Sequence, residues 1–275
     1  MIFIEYNFTV TPPVPWSEIL LAKLSQIEFD SFEENETGFK GYILSDNDDE
    51  EFINFQISEL EEAQISYEKK EIPQINWNEE WEKNFSPIEV DQRCFIRADF
   101  HEPNPDFLYE IIIQPKMSFG TGHHETTRLM VEFILDNDFE GKSVLDMGTG
   151  TGILAILTKL KGADHVVGID IDEWSYHNAR ENAERNNTQI EWIKGGAESI
   201  PQEKYDCIIA NINKNILMED MPFYTNALKT GGTLLLSGLY DFDSEDIIQK
   251  ANEFGLKFDD MKSMNQWIAL KFTYE

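Results

Sequence analysis

The sequence predicts an α/β protein in which a small α+β domain precedes a larger domain built on a mostly parallel sheet. The strands and helices expected in residues 1–72 follow the order βαββαβ, whereas from residue 88 single strands alternate with single helices. A third observation is the loop "GTGTG" between a strand and a helix, which is typical of open sheets that bind a ligand. These features predict domains at 1–72 and 88–275, joined by a linker at 73–87.

The N-terminal domain is expected to be a ferredoxin-like unit. Apolar residues alternate through "MIFIEYNFTV", as on a half-buried strand, and a helical spacing follows the prolines of "PPVPWSEILLAKLSQI". "FDSFEENETGFKGYILSD" predicts two strands around a Thr-Gly turn, "DDEEFINFQISELEEA" a helix with acids at its start, and "QISYEKKEI" a last strand. The acidic run "SDNDDEEF" lacks the glycine and the later glutamate of a calcium loop, so we expect it to cap the helix.

The linker is mainly polar and contains Trp77 and Trp81, which would share one face of a helix. We expect this pair to pack against one of the two domains.

In the C-terminal domain, five strands of a parallel sheet are predicted at "SVLDMG", "HVVGIDID", "IEWIKGG", "YDCIIANI" and "GTLLLSGL". Helices are predicted at "TGILAILTKLKG", "EWSYHNARENAERNN", "NILMEDMPFYTNAL" and "SEDIIQKANEFGL". Two extended stretches flank "SMNQ" near the C-terminus, so a terminal hairpin should leave one strand antiparallel to the rest.

Composition limits the classes of partner. A net charge of −30 would repel phosphate backbones and favour a basic partner, although the same charge could serve solubility alone. Two cysteines cannot form a disulfide framework, and neither a membrane span nor a signal peptide is expected. The sequence therefore predicts a cytoplasmic protein without direct nucleic-acid binding.

The glycine motif "VLDMGTGTGILAI" (144–156) predicts a cofactor site. Gly148 and Gly150 stand where a buried strand turns into a helix, and glycine lets the backbone approach a ligand closely. Asp170 follows at the end of the next strand, a position suited to binding a ribose. This arrangement indicates an adenosine-containing cofactor.

The spacing distinguishes between such cofactors. It departs from the dinucleotide pattern G-x-G-x-x-G, and no phosphate loop of the type G-x-x-x-x-G-K-[ST] occurs. Asp146 precedes the glycines, where an acid is unfavourable beside pyrophosphate but acceptable beside a sulfonium and an amino group. S-adenosylmethionine is therefore the predicted cofactor. The alternative is a dinucleotide cofactor, which would make the protein an oxidoreductase.

Asn211 ends the strand "YDCIIANI", which should lie beside the first strand and face the same pocket. Many amine methyltransferases carry Asn or Asp here, followed by Pro-Pro and an aromatic residue. This chain keeps the asparagine but has neither proline nor aromatic residue, so the motif alone is weak.

The stretch "FGTGHHETT", about twenty residues before "DMGTGTGILAI", together with the later "GIDID" and "ANI", resembles the bacterial ribosomal-protein methyltransferase A (PrmA) family. The resemblance implies a class I S-adenosylmethionine-dependent methyltransferase with a seven-stranded sheet, and an N-terminal substrate-recognition domain. It also implies that the substrate is the eleventh large-subunit ribosomal protein, methylated on lysine side chains and on its N-terminal amine.

The motif and the resemblance together imply six cofactor-binding residues: Phe119, Thr127, Gly148, Gly150, Asp170 and Asn211. By the resemblance, residues 119–122 form a loop that covers the cofactor, and Asn211 lies near the transferred methyl group. We expect its side-chain oxygen to orient the amine, which would make Asn211 the catalytic residue. His124 matches a family histidine, and we expect it to be hydrogen-bonded within the loop. No metal is expected, because adjacent histidines point in different directions.

Two other functions remain open at this stage. The chain could methylate another protein or a small-molecule amine, or it could be a non-catalytic S-adenosylmethionine-binding ribosome assembly factor. A methyltransferase for nucleic-acid bases is disfavoured by the charge and by the missing Pro-Pro-aromatic sequence. The oligomeric state is not predicted.

Overall fold

The computed structural model describes residues 2–35, 37–60, 62–73, 86–114, 116 and 118–275. The chain divides into two compact units, Met1–Phe85 and Ser86–Glu275. Most of the predicted linker, including Trp77 and Trp81, lies outside the described residues. Within the described ranges, no helix has both the length and the apolar character needed to cross a membrane.

The N-terminal unit has the predicted ferredoxin-like topology. Its elements are β1 (Ile2–Thr11), α1 (Trp16–Leu24), β2 (Phe29–Asn35), β3 (Gly38–Leu44), α2 (Glu50–Ser58) and β4 (Gln64–Pro73). The sheet order is β2-β3-β1-β4, and every neighbouring pair is antiparallel. The predicted order of elements is therefore confirmed.

One face of this sheet carries the core of the N-terminal unit. The alternating apolar residues of β1 are buried there, and they pack with Leu20 of α1 and Ile53 of α2. The Asp49 side chain accepts a hydrogen bond from the Phe52 backbone N–H at 2.9 Å and so caps α2. This is the capping role predicted for the acidic run.

The second unit begins with a small sheet that the sequence does not predict. Its strands are β5 (Ile88–Val90), β6 (Cys94–Arg97) and β7 (Tyr109–Ile112), in the order β5-β6-β7. Runs of three and four residues are too short to show a period of two, so pattern reasoning misses them.

The main sheet of the second unit has seven strands in the order β10-β9-β8-β11-β12-β14-β13. These are β8 (Ser143–Met147), β9 (His165–Asp170), β10 (Glu191–Lys194), β11 (Tyr205–Asn211), β12 (Leu228–Tyr240), β13 (Leu256–Met264) and β14 (Trp267–Tyr274). β14 is antiparallel to both of its neighbours. Asn265 and Gln266 have φ of 48° and 68°, which suits a two-residue hairpin turn. The terminal hairpin is therefore confirmed.

Helices cover both faces of this sheet. They are α3 (Glu125–Asp136), α4 (Ile153–Leu160), α5 (Glu173–Arg185), α6 (Lys214–Ala227) and α7 (Ser244–Glu253). Because successive strand residues point to opposite faces, Val144 packs with α3 and α4, whereas its neighbour Leu145 packs with α6 and α7. Two buried faces explain why these strands are continuous apolar runs rather than alternating ones.

Candidate active site

A cavity of about 460 Å³ lies at the carboxyl ends of β8, β9 and β11. The strand order reverses between β8 and β11, and open α/β sheets bind ligands at such a switch point. Five of the six predicted cofactor-binding residues line this cavity: Phe119, Gly148, Gly150, Asp170 and Asn211. Thr127 is not among the lining residues.

The glycine loop, residues 148–152, needs glycine for two physical reasons. Gly148 and Gly150 have φ of 64° and 59°, in the left-handed region that favours glycine. A Cβ on Gly150 would also collide with the Phe119 carbonyl oxygen, and one on Gly148 with the Ile212 side chain. The loop backbone is thus exposed to the cavity while its outer side is closely packed.

Asp170 ends β9 with both carboxylate oxygens directed to backbone donors. Oδ2 accepts a hydrogen bond from the Gly150 N–H at 2.8 Å, and Oδ1 accepts one from the Asp172 N–H at 2.9 Å. Each oxygen keeps a further lone pair for a ligand hydroxyl. The residue lines the cavity and therefore fits the predicted ribose contact.

Asp146 does not line the cavity, and it stabilises the glycine loop through hydrogen bonds. Its Oδ2 accepts hydrogen bonds from Thr149 Oγ1 at 2.6 Å and from the Ala155 N–H at 3.2 Å. The carboxyl group is 1% exposed, and this burial raises its pKa to about 7. The acid that the sequence analysis placed beside the cofactor is therefore an anchor for the loop and for α4.

This raised pKa predicts a pH-dependent stability. The folded state holds a proton on Asp146 up to about pH 7, whereas the unfolded chain releases it near the ordinary pKa of 3.8. The stability contributed by Asp146 is therefore fully present below about pH 4 and is lost as the pH rises through about 7. We expect Asp146→Asn to remove this loss. The check is the melting temperature of the ligand-free wild type and of Asp146→Asn, measured from acid to neutral pH. The difference between the two profiles isolates Asp146, because the other acids are present in both proteins. Parallel profiles would contradict the assignment.

The two histidines and Thr127 lie at the start of α3, and their surroundings differ. His124 Nδ1 accepts a hydrogen bond from the Thr126 N–H at 3.2 Å, so the ring caps the helix. Its partner therefore lies in the first turn of α3, whereas the prediction placed it in the loop. The His123 ring lies 3.1 Å from Thr121 Oγ1. Thr127 is fully buried in the first turn, and its hydroxyl has no hydrogen-bond partner among the described residues.

Asn211 and Asn213 differ in role although they are only two residues apart. The Asn213 side chain accepts a hydrogen bond from the Ile216 N–H at 3.2 Å and caps α6. The Asn211 side chain lines the cavity, and its buried Oδ1 has no partner in the part of the chain that the structure describes. A buried, unpaired acceptor is costly unless a ligand completes it. Asn211 therefore provides a hydrogen-bond acceptor for a donor that enters the cavity.

Sequence reasoning missed a row of rings beside the cavity. The Phe119 ring centroid lies 5.2 Å from that of His124, His124 lies 4.7 Å from Trp267, and Trp267 stacks on Tyr240 at 4.0 Å. Three acids, Glu198, Glu219 and Asp220, line the cavity as well. The rings belong to the segment just before α3, to β12 and to β14, and Glu219 and Asp220 belong to α6. Because these segments are far apart in the chain, no sequence pattern predicts that they meet.

The residues present fit the predicted cofactor. Asp170 offers lone pairs to a ribose, and the glycine loop leaves room for close backbone contact. Asn211 holds a buried oxygen without a partner among the described residues, which a bound ligand could satisfy.

Comparisons with known proteins agree with this geometry. Residues 20–275 match the family described as Ribosomal protein L11 methyltransferase (PrmA). A ribosomal protein L11 methyltransferase of Porphyromonas gingivalis is 45% identical over 93% of this chain and 90% of its own length. One of Bacteroides thetaiotaomicron is 44% identical over 100% of both chains. A solved ribosomal protein L11 methylase of Lactobacillus delbrueckii subsp. bulgaricus is 28% identical, with a TM-score of 0.65, over 70% of this chain and 100% of its own.

These similarities confirm the predicted methyltransferase fold. The match extends through nearly the whole sequence, including the N-terminal unit. The chain belongs to the ribosomal protein L11 methyltransferase (PrmA) family.

Proposed function

We propose that this protein transfers methyl groups from S-adenosylmethionine to amino groups of ribosomal protein L11, on lysine side chains and on the N-terminal amine. The observation that carries this proposal is the unpaired Oδ1 of Asn211 in the wall of the cavity, next to the glycine loop. A carboxamide oxygen accepts an N–H bond, which is the contact that a reacting amine can offer. The relatives from Porphyromonas gingivalis and Bacteroides thetaiotaomicron are methyltransferases of ribosomal protein L11.

The proposed mechanism depends mainly on orientation. S-adenosylmethionine, when bound, supplies a methyl group on a positively charged sulfur. A lysine amine has an ordinary pKa of about 10.4 and must lose a proton before its lone pair can react. Asn211 Oδ1 then accepts one of the two remaining N–H groups and turns the lone pair toward the methyl group. Orientation of this kind can lower a barrier by roughly 7 kcal/mol or more, so few catalytic side chains are needed.

The surroundings of the cavity suit a lysine side chain. The exposed Phe119 ring, which lines the cavity, offers an apolar surface to its methylene groups and a face that attracts a cationic head group. The carboxyl groups of Glu219 and Asp220 add negative charge at the wall, and burial raises the pKa of Asp220. We propose that these groups guide a lysine amine toward Asn211.

The N-terminal domain, 1–72 by our proposal, recognises the substrate protein. It is strongly acidic, and the acids along 46–51, together with Asp30 and Glu33 of β2, carry negative charge on its surface. A basic protein such as a ribosomal protein has the complementary charge, whereas free nucleic acid is repelled. The reaction then takes place in the cytoplasm, where ribosomal proteins are made.

Charge recognition predicts that the KM for L11 rises several-fold as ionic strength increases from low to physiological values, because salt screens exposed charges. The dissociation constant of S-adenosylmethionine should change much less. Glu51→Lys reverses an exposed charge on α2 and should raise the KM for L11. Glu184→Lys, an equal change at an exposed position of α5, is the matched control. Equal KM values in the two variants would argue against recognition by the N-terminal domain.

Calorimetric titration and methyl labelling together test the proposed function. The protein is titrated separately with S-adenosylmethionine and with NAD, and is then incubated with radiolabelled S-adenosylmethionine and unmethylated ribosomal proteins. We expect binding of the first ligand only, and label in L11 on lysine residues and on the N-terminal amine. Label in another protein would show that L11 is not the substrate. Binding without label would support a non-catalytic ribosome assembly factor. Selective binding of NAD would overturn the cofactor assignment.

A further inference from the structure

Thr151, in the glycine loop, holds the covering loop, which we define as residues 119–122. Its backbone N–H donates to the Phe119 carbonyl oxygen at 2.9 Å, and its hydroxyl donates to the Gly120 carbonyl oxygen at 2.5 Å. Thr151 is fully buried and does not line the cavity. The two loops are therefore joined by consecutive hydrogen bonds on the side away from the ligand.

Asn182 of α5 also forms a hydrogen bond with Thr151. Its Nδ2 donates to the Thr151 carbonyl oxygen at 2.9 Å, and its Oδ1 accepts from the Gln114 N–H at 3.0 Å. Asn182 is also fully buried. One carboxamide thus connects the glycine loop to the chain segment that precedes the covering loop.

Other asparagines continue this contact along α5. The Asn178 side chain donates to the Gln114 carbonyl oxygen at 3.3 Å, and the Asn186 side chain bonds to both the N–H and the carbonyl oxygen of Ile112. Positions four residues apart lie on one face of a helix, so three side-chain amides follow the backbone of residues 112–114 as a neighbouring strand would. The segment before the covering loop is fixed to the helix that begins just after Asp170.

We propose that Thr151 and Asn182 are positioning residues that keep the covering loop in register with the glycine loop, so that the cofactor cavity is formed before the ligand arrives. This inference rests on the proposed function, because its effect is measured at the cofactor. Phe119 lines the cavity, and its backbone is one of the two groups that Thr151 holds. Loss of the hydroxyl leaves the Gly120 carbonyl oxygen without this donor, and binding must then order the loop.

Two substitutions at one position separate the hydroxyl from the shape of the side chain. Thr151→Val keeps the shape and loses the hydroxyl, whereas Thr151→Ser keeps the hydroxyl and loses a methyl group. Thr158→Val is the matched control, because the buried Thr158 hydroxyl donates to the Ala155 carbonyl oxygen of its own helix, at 2.8 Å, and not to the covering loop. The measurements are the dissociation constant of S-adenosylhomocysteine and amide hydrogen exchange in residues 119–122.

We expect Thr151→Val to bind S-adenosylhomocysteine about tenfold more weakly and to exchange faster in the covering loop. Thr151→Ser and Thr158→Val should stay close to the wild type in both measurements, even where their melting temperatures fall. Wild-type affinity in Thr151→Val, or equal losses in Thr151→Val and Thr158→Val, would overturn the proposal.

Asn182→Ala provides a second route if Thr151→Val does not fold. It removes the bonds to Thr151 and Gln114, and we expect the same weaker binding and faster exchange. Unchanged affinity and exchange would overturn the role of Asn182. If the wild type binds neither S-adenosylmethionine nor S-adenosylhomocysteine, the proposed function fails. Hydrogen exchange in the ligand-free variants still tests the inference in that case.

Discussion

The Asn211→Ala variant is expected to bind S-adenosylmethionine almost as tightly as the wild type and to turn over on the order of 100-fold more slowly. The Asn211 Oδ1 is buried in the cavity wall and has no partner among the described residues, so its removal leaves no donor of these residues unpaired. What is lost is the group that orients the amine. Steady-state turnover of L11 and calorimetric titration with S-adenosylmethionine measure the two effects separately.

Asn213→Ala is the matched control for this prediction. It removes an asparagine two residues away, whose side chain caps α6 and does not line the cavity. The loss of a cap costs about 1 kcal/mol of stability, and turnover at a permissive temperature should stay near that of the wild type. Unchanged turnover in Asn211→Ala, or an equal loss in both variants, would refute the catalytic role of Asn211.

The Asp170→Ala variant is expected to bind S-adenosylmethionine about 100-fold more weakly, or worse. Asp170 accepts the backbone N–H groups of Gly150 and Asp172, and hydrogen bonds to a charged group contribute about 1.5–3 kcal/mol each. Its removal therefore frees the glycine loop and also deletes the proposed ribose contact. A 100-fold change corresponds to about 2.7 kcal/mol of binding free energy, so the loss of even one such bond gives a measurable effect. Calorimetric titration determines the dissociation constant.

Asp172→Ala tests whether any acid in this turn would give the same result. The Asp172 side chain accepts the Ser175 N–H at 2.9 Å and caps α5, while its own backbone N–H still donates to Asp170 after the substitution. We expect a lower melting temperature and a cofactor affinity close to that of the wild type. If Asp172→Ala loses as much affinity as Asp170→Ala, the ribose assignment is wrong and the effect arises from α5.

Much of the site could be predicted because its residues are adjacent in sequence or end neighbouring strands. Gly148, Gly150 and Asp170 occupy the ends of β8 and β9, where the chain must turn and where parallel strands bring their carboxyl ends together. Thr127 shows the limit of the resemblance: it is buried as expected for a structured position, but it is not among the residues that line the cavity. Its role in binding the cofactor stays a prediction.

Asp146 shows a second limit. The sequence places an acid two residues before Gly148, and proximity in sequence suggested that it faces the cofactor. In the structure the side chain turns to Thr149 and to the start of α4, because strand residues alternate between faces. The direction of a side chain depends on which groups pack against the strand and the loop. The spacing of residues in the sequence does not show this.

By itself, the sequence determined the order of elements in the N-terminal unit, the strands of the main sheet with the helices that alternate with them, the position of the glycine loop and the acid that ends β9. These features follow from local periodicity, from glycine conformations and from the rule that helices and strands alternate in parallel sheets. Only the tertiary structure decided which distant groups meet. The row from Phe119 to Tyr240, the acids of the cavity wall and the links from Thr151 to Asn182 and the covering loop join segments far apart in the chain. Such contacts depend on how the helices and loops pack around the finished sheet, and no local pattern records that packing.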